Sequence, residues 1–231
     1  MAYAITDNHF LARLPQDAIE RLSPGFEWVE LNLGASCQLD TVDYVFFPIR
    51  GLISFVLASG NGTTSEVAVA GSESLVGLCG FLNSRKPLIP AVVRRSGLAA
   101  RLPVKMALDE FRRGDAFQAD VLSYIGVFFK QVAQTSLCNA QHSLEQRFCR
   151  WLLLSQDRLD DGERVAMSQE LIAGMLGVRR EAVTRVATHL KSRHLIDYTT
   201  RKIQIVDRDG LVNTSCECYS SLSHDYAALV G

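Results

Sequence analysis

The chain has 231 residues, enough for one large domain or two modest ones. Its 48% hydrophobic and 21% charged content is that of an ordinary globular protein and excludes disordered and fibrous classes. A formal net charge of −1 excludes binding of nucleic acid through bulk charge, yet residues 176–202 hold seven basic and two acidic side chains, a local net charge of +5. Such focusing is the electrostatic footprint of a DNA-binding module on a near-neutral body.

At the N-terminus, MAYAITDNHFLARLPQ lacks a basic start followed by an apolar run, and no later segment reaches the length of a membrane span. A cytoplasmic location without membrane contact is the expectation. Residues 7–22 carry Phe10, Leu11, Leu14, Ile19 and Leu22 around Pro15, which fits two short helices. From Trp28 to Leu102 the texture changes to short β-like runs: FEWVEL, YVFFPIRG, LISFVLASG, TSEVAVAG and PAVVRRSGLAARL. Glycine-bearing turns between such runs predict an antiparallel barrel or sandwich. The stretch Ser59–Thr63, SGNGT, reads as a hairpin turn because Asn-Gly readily supplies positive φ.

Helical periodicity returns at VKMALDEFRRG, which Gly114 closes. A long helix follows from about Ala116 to Leu137. Its apolar residues, including Phe117, Val121, Leu122, Ile125, Phe128, Phe129 and Val132, spread beyond one face. A helix apolar on two sides needs two partners, its own domain and the same helix of a second subunit. Residues 143–158 predict another amphipathic helix, with Leu144, Phe148, Trp151, Leu152 and Ser155 near one stripe.

The segment Met167–Ile196 carries the most specific pattern. Ser168 suits an N-cap, Glu170 falls in the first turn, and Gly177 can close the helix in left-handed geometry. A second helix runs from Arg179 or Arg180 to Arg193, with Ala182, Val183, Val186 and Leu190 as its buried stripe. Two short helices about a glycine turn, the second basic, are the layout of a helix-turn-helix whose second helix enters the major groove. Arg180, Glu181, Thr184 and Arg185 are the expected base-contacting residues: an arginine fork fits guanine, and a carboxylate accepts from the cytosine amino group. Ser168, Gln169, Arg179, Thr188, Lys191, Arg201 and Lys202 suit phosphates. DYTTRKIQIV, residues 197–206, reads as a two-stranded wing, and 211–231 as a weakly patterned tail, either a terminal helix or partly disordered.

The six cysteines, Cys37, Cys79, Cys138, Cys149, Cys216 and Cys218, lack a paired zinc-type spacing. The first four read as small buried hydrophobes. Cys216 and Cys218, near His224, could hold a metal or sense redox state, but two thiols on a flexible tail is the simpler reading, and no metal is expected. His142, His189 and His194 form no nucleophile or metal pattern, so enzymatic activity is not expected.

Residues ELIAGMLGVRREAVTRVATHLKSRHLI, the wing and the phrase IVDRDGL resemble the bacterial CRP/FNR superfamily of transcription regulators. The resemblance implies an α+β chain: an N-terminal antiparallel β-barrel or jelly roll of the cyclic-nucleotide-binding type, a long dimerisation helix and a C-terminal winged helix-turn-helix. It assigns 1–114 to the sensor, 115–139 to the dimerisation helix, 140–210 to DNA binding and 211–231 to a tail. The family's base-contacting Arg, Glu and Arg fall on Arg180, Glu181 and Arg185, while Arg179 stands where a Ser or Thr is usual.

The sensor half departs from the cyclic-nucleotide binders. In VGLCGFLNSRKPLIPAVVRRSG, Leu78 follows Gly77 where an acid should stand, and Ile89 and Pro90 replace the phosphate-pairing Arg and its hydroxyl neighbour. No conventional cyclic AMP or cyclic GMP site, and no other cofactor, is therefore expected. Glu73, Arg85, Lys86, Arg94 and Arg95 read as surface charges. Phe46, Phe47, Phe55, Val56, Leu75, Leu78 and Phe81 read as core. An N-terminal cysteine cluster for iron–sulfur chemistry is absent, and His9 is the sensor's only candidate haem ligand. The implied function is a homodimeric regulator of a pseudo-palindromic double-stranded DNA site, with RNA polymerase as a further partner if it activates. The rival readings are a constitutive DNA-binding regulator without an effector and a protein–protein module that keeps only the scaffold.

Overall fold

The computed structural model describes residues 3–36, 42–60, 62–84, 86–159, 165, 167–199 and 202–230. Cys37, Asn61, Arg85 and Arg201 lie outside the described residues. The chain divides into two compact units, residues 1–55, 70–129 and 225–231 in one, and 56–69 with 130–224 in the other. This division differs from the linear one expected from sequence: a hairpin of the sheet counts with the C-terminal unit, and so does most of the tail.

Two short helices, α1 (His9–Ala12) and α2 (Gln16–Leu22), open the first unit. Asn8 caps α1, its side-chain oxygen accepting from Leu11 N, while its amide donates to Pro48 O and Ser74 O. Four strands follow: β1 (Glu27–Leu31), β2 (Tyr44–Ala58), β3 (Thr64–Ala70) and β4 (Ala91–Pro103), in the sheet order β1-β4-β2-β3. Both β1 and β2 pair antiparallel with β4. The described strands form an open antiparallel sheet of jelly-roll type, not a closed barrel. The runs YVFFPIRG and LISFVLASG, expected as separate strands, are one strand. Gly51, at φ 110°, bulges it instead of ending it, and the β2–β4 register shifts there. Gly97 faces this bulge so closely that a Cβ would stand 2.0 Å from Arg50 O.

Helices α3 (Val104–Phe111) and α4 (Ala116–Gln141) come next. The core of the first unit gathers Phe10, Leu11, Val45, Phe47, Leu75 and Leu102 with Phe117, Val121 and Tyr124 of α4. Burying each large side chain contributes about 1.5–3 kcal/mol relative to leaving it exposed. Leu78 and Phe81 pack against this core.

The second unit contains α5 (Leu144–Gln156), α6 (Gln169–Leu176), α7 (Arg180–Ser192), the wing strands β5 (Ile196–Thr199) and β6 (Lys202–Ile205), α8 (Arg208–Thr214) and the start of α9 (Cys218–Val230). Ser143 starts α5 with a capping box that uses Gln146. Phe148, Trp151, Leu152, Ile172, Val183, Leu190, Ile203 and Leu211 are among the buried apolar residues of this unit. The expected weak tail is therefore two helices. The IVDRDGL phrase has a local physical role: Asp207 caps α8 by accepting from Gly210 N, Arg208 pairs with Asp157, and Leu211 is buried.

Candidate nucleic-acid interface

Ser168 accepts from Leu171 N at 3.2 Å and starts α6, and Gly177 closes it at φ 65°. Arg147, from α5, donates to the Leu176 carbonyl at that C-terminus, where a cation complements the helix dipole. Arg179 then stands in extended geometry as the N-cap of α7. Val183, Ala187 and Leu190 are the fully buried positions of α7, while Ala182 and Val186 are only partly covered. Ala187 thus joins the stripe expected from sequence.

The opposite face of α7 is exposed. Arg180, Glu181, Thr184, Arg185 and Thr188 all lie on it, the first four within the first two turns. Thr184 Oγ1 lies 2.8 Å from Gln169 Oε1, to which it donates, and 3.1 Å from Arg180 O, so α6 steadies the start of α7. Lys191 is engaged with the wing, at 2.8 Å from Asp197 Oδ1 and 3.2 Å from Tyr198 O. Arg193 pairs with Glu145 at 3.2 Å and anchors the far end of α7 to α5. Lys202 is exposed on β6, and Val165 adds a bridge to Ile203 of the same strand. Ser168 and Gln169 are partly buried, while Arg179 is exposed.

The cysteines are not scattered in space. Cys138 on α4, Cys216 and Cys218 are all buried, and His142 joins them. Cys138 is buried as expected, and two sequence expectations are corrected: Cys216 and Cys218 lie in buried, ordered structure at the entrance to a helix, not on a flexible tail, and their histidine neighbour is His142 instead of His224. Cys138 is held below the ordinary thiol range by its hydrogen bond to Cys216, which is itself pushed above that range. The four-residue step from Cys138 to His142 in a helical stretch was the available sequence signal.

Residues 146–214 match the Crp-like helix-turn-helix domain. This segment of the chain is therefore a Crp-like helix-turn-helix domain. Solved structures of CRP/FNR regulators share the fold of the chain. A CRP/FNR-family transcriptional regulator from Eubacterium rectale is 15% identical, with a TM-score of 0.67 over 89% of this chain and 96% of that one. FixK2 from Bradyrhizobium japonicum is also 15% identical, with a TM-score of 0.68 over 83% and 98%. CLP of Xanthomonas campestris, a c-di-GMP-responsive global regulator, is 17% identical, with a TM-score of 0.62 over 83% and 99%. A search of curated proteins finds no match. Among the described residues, no helix of the chain is long and apolar enough to cross a membrane.

Proposed function

We propose that the protein is a homodimeric regulator that reads a pseudo-palindromic DNA site with α7. The observation that carries this reading is the exposed cluster of Arg180, Glu181, Thr184 and Arg185 on the first two turns of α7. Two arginine forks offer bidentate donors to guanine edges. Glu181 adds what phosphate binding alone would not favour, an acceptor amid cations. Arg179, Thr188 and Lys202 supply grip on phosphates, and Ser168, Gln169 and Lys191 brace the helices while remaining near enough to the same surface to assist. Arg201 belongs to the same proposed set.

Dimerisation is supported by α4. Leu122, Phe129 and Leu137 are 53%, 73% and 49% exposed, a second apolar stripe in addition to the buried one. A second copy of the chain would cover it and set the spacing of the two α7 helices. A sensor-driven shift of α4 is the means by which an effector would change that spacing. The altered Gly77–Pro90 stretch favours either a ligand other than a conventional cyclic nucleotide or constitutive binding. The protein would act in the cytoplasm, with RNA polymerase as the further partner of an activator.

The test is selection of bound sequences from a randomised DNA library, followed by binding of the Arg180→Ala/Arg185→Ala double variant. Each lost bidentate contact should cost about 1–3 kcal/mol of base discrimination. The variant should bind selected and random DNA almost equally. Unchanged affinity and specificity would leave α7 without the proposed role.

A further inference from the structure

The last turn of α4 carries Cys138, and His142 follows four residues later on the same side. Cys216 and Cys218 bracket one residue at the entrance to α9. Cys138 Sγ and Cys216 Sγ are 3.5 Å apart, and Cys218 Sγ is 3.5 Å from His142 Nδ1. All four donor atoms lie within 4.8 Å of one another.

These separations match one metal ion. Zinc–sulfur bonds of about 2.3 Å in a tetrahedron place two sulfurs about 3.8 Å apart. A polynuclear iron–sulfur cluster needs a wider set, because its thiolates sit on different irons. The surroundings are those of a ligand set. His142 Nε2 is 3.2 Å from Glu217 Oε1, which holds the outer nitrogen as donor and turns the Nδ1 lone pair inward. Gln134 Nε2 lies 3.0 Å from Cys218 Sγ and donates to it. Arg150 is buried, bonds the Thr135 hydroxyl and acts electrostatically on Cys138, offsetting thiolate charge.

We propose that Cys138, His142, Cys216 and Cys218 form a closed tetrahedral site for a thiophilic divalent cation, with zinc the best match. Three thiols give up their protons to solvent as three sulfur–metal bonds form, and neutral His142 supplies the fourth ligand without losing a proton. Four protein ligands leave no open position, so the site is structural or metal-sensing, not hydrolytic. Its effect is to tie the 216–218 segment, and with it the start of α9, to the C-terminal end of α4.

The experiment uses the full chain, purified with reductant and without an affinity tag that binds metal. Metal content is measured, the ion is removed with a chelator, and the protein is titrated with Co²⁺ alone. One zinc per chain and an intense tetrahedral cobalt spectrum with thiolate charge-transfer bands are expected. Cys218→Ser should abolish the charge-transfer bands or greatly weaken them. Glu217→Gln is the variant least able to disturb folding, since its side chain is 76% exposed, and should weaken metal affinity about 10–100-fold. Three outcomes overturn the proposal: wild-type protein that takes up Co²⁺ only in pale octahedral form, a Cys138–Cys216 disulfide in place of metal, or acid-labile sulfide with iron. The wild-type titration decides even if Cys218→Ser fails to fold.

Discussion

Gly177 closes α6 at φ 65°, a conformation that costs an L-residue about 1–2 kcal/mol. A Cβ there would meet only Ser65, its Oγ at 3.8 Å and its Cβ at 4.0 Å, ordinary contacts. The cost of substitution is therefore backbone strain with no clash. Gly177→Ala should lower unfolding free energy by about 1–2 kcal/mol, and Gly177→Asn by less, because Asn tolerates the left-handed region. Urea unfolding of the three proteins checks the order. An Asn variant less stable than the Ala variant would mean that contacts, not φ, govern the site. The same turn sets the direction in which α7 leaves α6, so the strain falls where Arg180 and Glu181 are aimed. Nearby, the bond between Thr184 and Gln169 gives a residue proposed to face the bases a second task. Truncating Thr184 would loosen the start of α7 as well as remove a hydroxyl from the interface.

The long helix α4 shows why some of the molecule was legible and some was not. Phe117, Val121 and Tyr124 are buried, while Leu122, Phe129 and Leu137 are exposed on another side, with Gly126 facing open space between them. Both stripes repeat with the helical period, so sequence carries them locally. The Ser168 and Gly177 helix ends were legible for the same reason: a cap is encoded within a few residues. The unbroken β2 was not, because whether a glycine ends a strand or bulges it depends on the partner strand. Nor was the cysteine cluster, whose Cys138 and Cys216 are 78 residues apart. A predictive consequence follows for α4. Leu122→Glu/Phe129→Glu places charge on exposed positions, so helix content should be retained, while a dimer seam would lose its apolar contact. Sedimentation should show monomer where the parent is dimer, and affinity for a full palindrome should fall towards that for a half-site. A double variant that stays dimeric would move the seam off this face.

At the scale of the whole molecule, a net charge of −1 coexists with +5 in residues 176–202. A chain of this kind repels DNA weakly as a body and attracts it at one patch, which favours orientation over indiscriminate adhesion. In the proposed dimer, symmetry would double whatever the patch does. Exposed Lys202 on the wing is expected to touch phosphate, not base edges, once in each copy. Each phosphate contact contributes about −0.9 to the slope of log affinity against log salt. Lys202→Ala should therefore make a dimer's slope shallower by about 2, with the preferred sequence unchanged. Arg185→Ala should instead relax the preference at one position of each half-site. Binding isotherms over a range of salt, on selected and random DNA, separate the two. A Lys202 variant that alters the selected sequence would place the wing in a groove. A slope change of about 1 instead of 2 would mean that only one copy's wing meets the backbone, and the complex would then be asymmetric despite a symmetric dimer.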